Sequence, residues 1–536
     1  MSIRDPIREG LARGWKVTDA SALERNLAIE TDVVIVGTGA GGGVTAEILS
    51  AAGLDVVLVE EGALKSSSDF RMREAVAYPE LYQESGARKT LDKAITILQG
   101  RSVGGSTTVN WTSSFRTPPA TLAFWQSHFG LDDLSESALT PWFEGMEKRL
   151  GIASWKVPPN ENNALLARGA EKIGIPSNHI RRNVRGCWNL GYCGMGCPTN
   201  AKQSMLVTTI PAALERGARL LTRTRVERLV VKNGRVEGLE ARTLDAAGVT
   251  ARAQRIAVRA RHYVLSAGAI GSPAVLLRSG APDPHRVLGA RTFLHPTVVS
   301  AAVMEAPVNG YSGAPQTVYS DHFLERAPID GPVGYKLEAP PLHPLLFGMT
   351  LPGLGETHAA LMREFANTQA LIALLRDGFH PDSRGGTVGL RDDGSPVLAY
   401  PLTGAIWDGV RRALLSMAEI QFAAGAKRVF PAHELAGGYA SWKEARDGIE
   451  RLPLEPLLTR VVSAHVMGGC GMAGDAKRGV VDSHGRHWQI ANLSVHDGSV
   501  FPTSIGANPQ LSIYGLTARS ASVLAESLDG RVAPIG

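Results

Sequence analysis

The segment from Thr31 to Glu60 limits the fold of this chain more than any other part of the sequence. It reads TDVVIVGTGAGGGVTAEILSAAGLDVVLVE, which is an apolar strand, a glycine turn, a helix of small residues and a second apolar strand. A strand, helix and strand in this order form a βαβ unit. The segment therefore predicts an α/β fold.

The glycines of this turn are spaced for a dinucleotide. Gly37, Gly39 and Gly42 fit the pattern G-x-G-x-x-G. The first permits a tight turn, the second lets backbone N–H groups approach a pyrophosphate, and the third lets helix and strand pack closely. Glu60 ends the second strand, where a carboxylate can accept hydrogen bonds from both ribose hydroxyls of an adenosine without a 2′-phosphate. The unit alone does not distinguish FAD from NAD.

Length and charge narrow the class of protein. A chain of 536 residues exceeds what one hydrophobic core usually supports, so two joined domains are expected. The net charge of +5 is spread without a basic run, so no nucleic-acid partner is expected. The sequence contains no run of 18 apolar residues, and its first residues lack the apolar core of a signal peptide. We therefore expect a protein without a signal peptide of its own, cytoplasmic or peripheral to the membrane.

Three further blocks extend the nucleotide-binding pattern. Residues 100–110, GRSVGGSTTVN, form a glycine-rich loop that can pass close to a cofactor. Residues 264–280, VLSAGAIGSPAVLLRSG, read as a strand, a turn and an apolar helix. Near the C-terminus, SAHVMGGCGM contains His465, and HDGSVFPTSIGANPQLSIYGLTARSASVLAE contains Asn508.

In order and spacing these blocks resemble the glucose-methanol-choline (GMC) oxidoreductase family over nearly the full chain. Within that family they are similar to the long-chain (fatty) alcohol dehydrogenase and oxidase subgroup. The resemblance implies the GMC fold, α/β and α+β overall, in which a Rossmann-like FAD-binding domain joins a β-sheet-based substrate-binding domain. It also implies bound FAD.

The resemblance assigns expected cofactor contacts in addition to the glycines and Glu60. Gly104, Gly105 and Ser106 are expected near the phosphates and ribityl chain, and Asn110 near the isoalloxazine. Val226 is the candidate for a backbone contact to the adenine, because ARLLTRTRV looks like the strand that ends there. Asp497 matches the family aspartate beside the flavin side chain.

The catalytic positions of the family match His465 and Asn508. Alcohol oxidation needs a base near the flavin to take the hydroxyl proton while a hydride passes to N5, and histidine suits that task. We expect His465 to be the base and Asn508 to hold the alcohol oxygen by a hydrogen bond.

A cysteine-rich segment raises the question of a metal. Cys187, Cys193 and Cys197 have the spacing C-x5-C-x3-C, and the segment resembles one that carries an iron–sulfur cluster in sugar dehydrogenases of the family. A fourth ligand is missing, and we favour the alternative, a packed glycine turn with reduced thiols. No metal ligand is therefore assigned.

The domain plan follows from these blocks. Residues 1–30 are a lead-in, and 31–294 form most of the FAD-binding domain, with a flavin-covering loop at 90–120 and the cysteine segment at 187–204. The substrate-binding domain spans 295–460, and 461–536 return to the FAD-binding domain with the catalytic residues. Within the substrate domain, the apolar stretch 343–375 reads as a core helix or as the lining of an apolar channel.

The expected function is FAD-dependent oxidation of a primary alcohol, long-chain and aliphatic, to the aldehyde. Oxidation of a sterol, an aromatic alcohol or a polyol, and cyanohydrin cleavage of the hydroxynitrile-lyase type, remain alternatives. We favour a dehydrogenase over an oxidase. The expected partners are a small-molecule alcohol and an electron acceptor, which is a quinone, a cytochrome or O2, with a membrane-associated redox protein as a further candidate.

Overall fold

The computed structural model describes residues 3–531, so the first two residues of the predicted lead-in and the last five of the C-terminal segment lie outside it. The strands, in chain order, are β1 Val17–Asp19, β2 Leu27–Val36, β3 Val56–Val59, β4 Ile95–Ile97, β5 Ile152–Ser154, β6 Asn178–His179, β7 Arg181–Asn183, β8 Arg219–Thr222, β9 Thr224–Lys232, β10 Arg235–Leu244, β11 Ala251–Leu265, β12 Thr292–Phe293, β13 Thr297–Val303, β14 Val318–Ser320, β15 Tyr335–Glu338, β16 Thr368–Leu375, β17 Thr387–Leu390, β18 Pro396–Ala399, β19 Arg428–Pro431, β20 Val461–Ser463, β21 Met467–Gly468 and β22 Leu493–Val495.

The helices alternate with these strands. They are α1 Pro6–Ala12, α2 Ala40–Ala51, α3 Glu74–Leu81, α4 Ser106–Val109, α5 Pro119–Phe129, α6 Glu136–Leu150, α7 Glu161–Lys172, α8 Thr209–Glu215, α9 Gly268–Arg278, α10 Pro344–Thr350, α11 Gly355–Arg363, α12 Gly404–Ala423, α13 Trp442–Arg451 and α14 Gln510–Ser527.

The first large sheet contains the predicted βαβ unit. Its strand order is β1-β8-β3-β2-β11-β10-β9, and β22 pairs with the C-terminal part of β11. Strands β1, β8, β3, β2, β11 and β22 pair in parallel, whereas β9, β10 and β11 form antiparallel ribbons. Valine and isoleucine fill the buried ends of β2 and β3, as expected of parallel strands covered on both faces. The predicted α/β fold is confirmed.

The second large sheet combines strands from distant parts of the chain. Its order is β4-β20-β13-β16-β15-β14-β6, and β19 also pairs with β13. It is antiparallel except for the β4–β20 pair. Most of its strands come from the predicted substrate domain, but β4, β6 and β20 come from outside residues 295–460. Strands from the predicted FAD-binding and substrate-binding domains therefore pair within one sheet.

The C-terminal segment completes the first sheet. Strand β22 pairs in register with β11, with Leu265 opposite Val495. Helix α14, whose side chains are almost all buried, then packs against α2 and α6. The part of the chain that carries Asn508 is thereby fixed to the nucleotide-binding unit.

The apolar stretch 343–375 divides into two parts. Strand β16 is fully buried in the second sheet, but α10 and α11 lie at the surface. Every side chain of α11 is at least partly exposed, and Met349 and Leu354 are exposed apolar residues. A core helix is therefore not what the helical part forms. Among residues 3–531, no helix combines the length and apolar character needed to cross a bilayer.

Candidate active site

The glycine turn after β2 has the conformation that its spacing predicts. Gly37 has a φ of +96°, and a Cβ there would lie 2.3 Å from the carbonyl oxygen of Ser266. A Cβ on Gly42 would lie 2.0 Å from the carbonyl oxygen of Gly37, so helix and strand meet directly. Gly39 differs, because a Cβ there would meet only the Cα of Gly105, at 3.9 Å. At Gly39 the start of α2 is free of any side-chain cap from the described residues and has open space beside it.

Glu60 closes the other end of the unit. Its carboxylate accepts hydrogen bonds from the Thr38 N–H at 3.1 Å, the Thr38 hydroxyl at 2.5 Å and the Gly62 N–H at 2.8 Å. Burial raises the pKa of this carboxyl. The Thr38 hydroxyl also accepts from the N–H of Gly104, at 3.0 Å. The acid and the glycine-rich loop at 100–110 therefore meet at one threonine.

That loop is held by side chains from distant segments. Gly104 and Gly105 have φ values of +90° and +52°, and Ser106, which begins α4, is exposed. Asn110 donates to Gln510 at 2.7 Å, and its carbonyl oxygen accepts from Lys202 at 3.0 Å. Gln510 was not predicted from the sequence, yet it connects the loop to the start of α14.

Asp497 and Val226 lie at separate points of the predicted FAD-binding domain. Asp497 accepts from the N–H of Gly268 at 2.9 Å and from the Ser272 hydroxyl at 2.5 Å, and so connects the C-terminal block to the start of α9. Val226 lies on β9, where its carbonyl oxygen accepts from Arg278 at 3.1 Å. The Val226 carbonyl oxygen, one of the backbone groups expected to contact the adenine, therefore already accepts a hydrogen bond from Arg278.

His465 lies in the loop between β20 and β21. Its Nδ1 is 3.1 Å from Nδ1 of His295, which lies between β12 and β13. Ser463 joins the two loops, because its hydroxyl donates to the carbonyl oxygen of Leu294 and accepts from the N–H of His465. The Nε2 of His465 has no hydrogen-bond partner among residues 3–531, and the side chain is partly exposed. One nitrogen is thus engaged, and the other is available to a substrate.

Asn508 lies against a buried ion pair. Its Oδ1 accepts from Nζ of Lys336 at 3.1 Å, and its Nδ2 donates to Oε2 of Glu338 at 3.2 Å. Lys336 and Glu338 are two residues apart on β15, so their side chains share one face, and their charged atoms are 3.0 Å apart. Flipping the amide would place donor against donor and acceptor against acceptor. The orientation of Asn508 is therefore fixed.

The charges of the site act on one another. Burial lowers the pKa of Lys336 to about 8, and the Glu338 carboxylate opposes that shift. Burial, with a smaller contribution from the Lys336 charge, lowers the pKa of His465 to about 3. At neutral pH the site therefore holds a charged lysine and a neutral imidazole that is able to accept a proton.

The cysteine segment gives no support to a cluster. Each of its thiols has a different neighbour: Cys187 accepts from the N–H of Asn189, Cys193 from Arg182, and Cys197 is 3.4 Å from the Thr199 hydroxyl. Within the described part of the chain, no group of three or more His, Cys, Asp or Glu side chains is arranged to hold a metal ion.

Comparison with known proteins decides the family. Two models described as GMC oxidoreductase match residues 78–297 and 381–517. The chain belongs to the GMC oxidoreductase family. An uncharacterised GMC-type oxidoreductase of Mycobacterium tuberculosis is 32% identical over 90% of this chain and 74% of its own length. A long-chain-alcohol oxidase of Arabidopsis thaliana is 28% identical over 97% of this chain and 70% of its own.

Solved structures share the GMC fold. Pyridoxine 4-oxidase from Mesorbium loti superimposes with a TM-score of 0.69 and 21% identity, over 92% of this chain and 98% of that structure. GMC oxidoreductases act on CH–OH groups, bind FAD and pass electrons from a small-molecule substrate to an acceptor. The uncapped start of α2 and the open space at Gly39 fit the pyrophosphate of that cofactor.

Proposed function

We propose that this GMC oxidoreductase oxidises a primary alcohol to the aldehyde, with His465 as the base that takes the hydroxyl proton. The observation that supports this role is the neutral imidazole of His465, which has one engaged and one free nitrogen and lies near the buried Lys336–Glu338 ion pair. Bound FAD would supply the hydride acceptor. Gly37, Gly39, Gly42, Glu60, Gly104, Gly105, Ser106, Asn110, Val226 and Asp497 are the residues that we propose to hold it.

Asn508 is proposed to orient the alcohol. Its amide gives one N–H to Glu338 and its oxygen to Lys336, which leaves a second N–H. That N–H can donate to the alcohol oxygen while Nε2 of His465 accepts the hydroxyl proton. Because the amide cannot flip, the alcohol oxygen meets a donor at Asn508 in every turnover.

A long aliphatic chain is the proposed substrate class. The similarity to long-chain-alcohol oxidases over nearly the whole chain supports it. The exposed apolar residues of the 343–363 segment, which packs on strands of the second sheet, support it as well. The same relatives, which carry the name oxidase, support O2 as the electron acceptor over a quinone or cytochrome.

The experiment is anaerobic mixing of the FAD-loaded protein with primary alcohols of increasing length, followed by flavin absorbance. We expect kcat/KM to rise along the series, because each buried CH2 contributes up to about 0.8 kcal/mol. Glucose or choline reducing the flavin as fast as a long-chain alcohol would contradict the substrate class. Reoxidation by air compared with a quinone then identifies the acceptor.

The base is tested by His465→Ala and Asn508→Ala, with the exposed His285→Ala as the control. His465→Ala should retain FAD but reduce it about 10²- to 10⁴-fold more slowly, and Asn508→Ala should lose less. Since the pKa of His465 is lowered to about 3, the parental rate should not fall from this group between pH 7 and pH 5. Parental rates in His465→Ala would show that another group takes the proton.

A further inference from the structure

Behind His465 lies a second imidazole that the sequence motifs do not mark. His295 is fully buried, and its Nδ1 faces Nδ1 of His465 at 3.1 Å, with ring planes inclined by 32°. A hydrogen bond between two neutral imidazoles needs one N–H and one bare nitrogen. The pair can therefore adopt two arrangements, which differ in which ring carries the shared hydrogen.

The backbone around His295 is built to hold the ring in place. His295 has a φ of +49°, a left-handed conformation that few residues other than glycine, asparagine, aspartate and histidine adopt readily. The buried Asp377 carboxylate stabilises this turn by accepting from the N–H groups of Leu294 and His295, at 3.0 and 3.1 Å. Tyr400 donates to the same carboxylate at 2.7 Å. A strained turn fixed in this way keeps the imidazole within reach of His465.

We propose that His295 is a positioning residue, which accepts a hydrogen bond from Nδ1–H of His465 and so keeps Nε2 of His465 free for the alcohol proton. This inference rests on the proposed function, because a base at Nε2 requires the ring hydrogen to be on Nδ1. When the alcohol proton moves to Nε2, the resulting imidazolium still donates its Nδ1–H to His295. The charge formed during turnover is thus stabilised by a neutral neighbour.

The surroundings of the pair favour this division of roles. Burial keeps the pKa of His295 well below its usual range, and His465 and the positive charges of Lys336 and Arg376 lower it further. His295 therefore stays neutral and able to accept. Its Nε2, which carries the hydrogen in this arrangement, is buried without a hydrogen-bond partner in residues 3–531. An unpaired buried N–H costs free energy, and in this arrangement the lone pair of Nδ1 faces His465.

The direct test is the ring tautomer of His465 in FAD-loaded enzyme that contains 15N-labelled histidine. Ring nitrogen shifts, assigned by comparison with His465→Gln, report which nitrogen carries the hydrogen. We expect hydrogen on Nδ1 of His465 in the parent. Hydrogen on Nε2 at neutral pH would overturn the proposal.

The kinetic test compares His295→Leu with His295→Asn. Asparagine tolerates the left-handed backbone and its side-chain oxygen can accept from His465, whereas leucine cannot accept. We expect the limiting rate of flavin reduction to fall by about 10- to 100-fold in His295→Leu and by less than about 5-fold in His295→Asn, with little change in alcohol affinity. Equal rates in the two variants would refute the acceptor role.

Two outcomes separate this inference from the proposed function. Should His295→Leu fail to load FAD, His295→Asn still decides, because it must keep hydrogen on Nδ1 of His465. Should His465→Ala reduce its flavin at the parental rate, the base assignment fails, while the ring shifts of the parent still show whether His295 accepts from His465.

Discussion

At the scale of single residues, the Lys336–Glu338 ion pair on β15 fixes the orientation of Asn508. The pair is therefore as important to the site as the amide itself. Lys336 and Glu338 are almost completely inaccessible to solvent, with side-chain exposures of 2% and 0%. The Lys336 ammonium also lies over the ring of Phe115, 3.0 Å from its centroid. A buried charge pair of this kind contributes less to stability than to the unique placement of its neighbours.

Lys336→Met tests whether the ion pair orients Asn508 or only stabilises the fold. The single variant should lose about 3–5 kcal/mol of unfolding free energy, because it leaves Glu338 buried and unpaired. The double variant Lys336→Met/Glu338→Leu should regain most of that stability in urea unfolding. It should still reduce flavin slowly, because the Asn508 amide is then free to flip. Recovery of both stability and rate would mean that the pair has no part in orienting Asn508.

Gly39→Val tests the cofactor cradle. The nearest atom to a Cβ at this position is 3.9 Å away, so the protein should fold, but the branched side chain would project over the start of α2. We expect the purified variant to contain little FAD at unchanged far-UV dichroism. Gly389→Val on β17, where a Cβ also meets open space, is the matched control and should retain its flavin. Full FAD content in Gly39→Val would place the pyrophosphate elsewhere.

The site residues that the sequence predicted and those that it did not differ in a physical way. Gly37 and Glu60 belong to one local unit, so their spacing along the chain determines their spacing in space. His295 and Lys336 reach the site through long-range pairing of β13, β15 and β16, which no local pattern encodes. One signal was present: opposite charges two apart in the apolar strand YKLEA predict a paired, inward-facing site.

At the scale of single elements, α10 depends on a distant carboxylate. The helix begins at Pro344 with no side-chain cap from its own N-terminal residue, and Glu74 from α3 accepts from the N–H groups of Leu345 and Leu346, at 2.6 and 2.9 Å. Phe347 is the helix residue buried beneath, in a small apolar cluster. Because α10 has so few buried contacts, the Glu74 cap accounts for a large share of its stability.

Glu74→Ala should therefore loosen α10 without unfolding the protein. Loss of an N-terminal cap costs about 0.5–2 kcal/mol, so amide hydrogen exchange should accelerate in residues 344–350 while the melting temperature changes little. Glu80→Ala on the same helix removes a carboxylate that pairs with Lys65 at the surface, and it should leave that exchange unchanged. Unaltered exchange in Glu74→Ala would show that packing alone holds α10.

At the scale of the whole molecule, four buried histidines outside the active site make the fold sensitive to acid. Burial lowers the pKa values of His262, His343 and His487 to about 4 and that of His496 to about 3. Between these values and 6.5 the unfolded chain binds more protons than the native one, so stability falls as the pH decreases. Each group accounts for about 2 kcal/mol at pH 5. The raised pKa values of the buried Glu60, Asp377 and Asp497 act in the opposite direction.

His343→Phe isolates one of these contributions. The ring stacks on Tyr192 with centroids 4.9 Å apart, and phenylalanine can keep that stacking. The variant should match the parent in unfolding free energy at pH 7 and should lose about 2 kcal/mol less between pH 7 and pH 5. Urea unfolding at the two pH values measures this, with the exposed His285→Gln as control. An identical loss in parent and variant would exclude His343 as a source of the acid sensitivity.

The predictability of the fold also follows scale. The β2–α2–β3 unit of the first sheet was predictable, because its two strands and the helix between them are neighbours in sequence. The composition of the second sheet was not, because β4 and β20 are separated by more than half the chain and pair only in the folded state. The helices of the 343–363 stretch were misleading for another reason: several of their apolar residues, among them Leu345 and Met349, are exposed, and hydrophobicity alone does not tell which side of a helix is covered.

The pairing of β22 with β11 has a consequence for protein synthesis. Residue 265 leaves the ribosome long before residue 493, and at 5–20 residues per second the interval is roughly 10 to 50 s. Throughout that time the nascent chain carries an unpaired strand edge in its nucleotide-binding half, a ready template for association with other chains. Yield in a foreign host should therefore depend on chaperone supply and growth temperature, and a stop codon between residues 266 and 492, which leaves this edge of β11 without β22, should give an insoluble product.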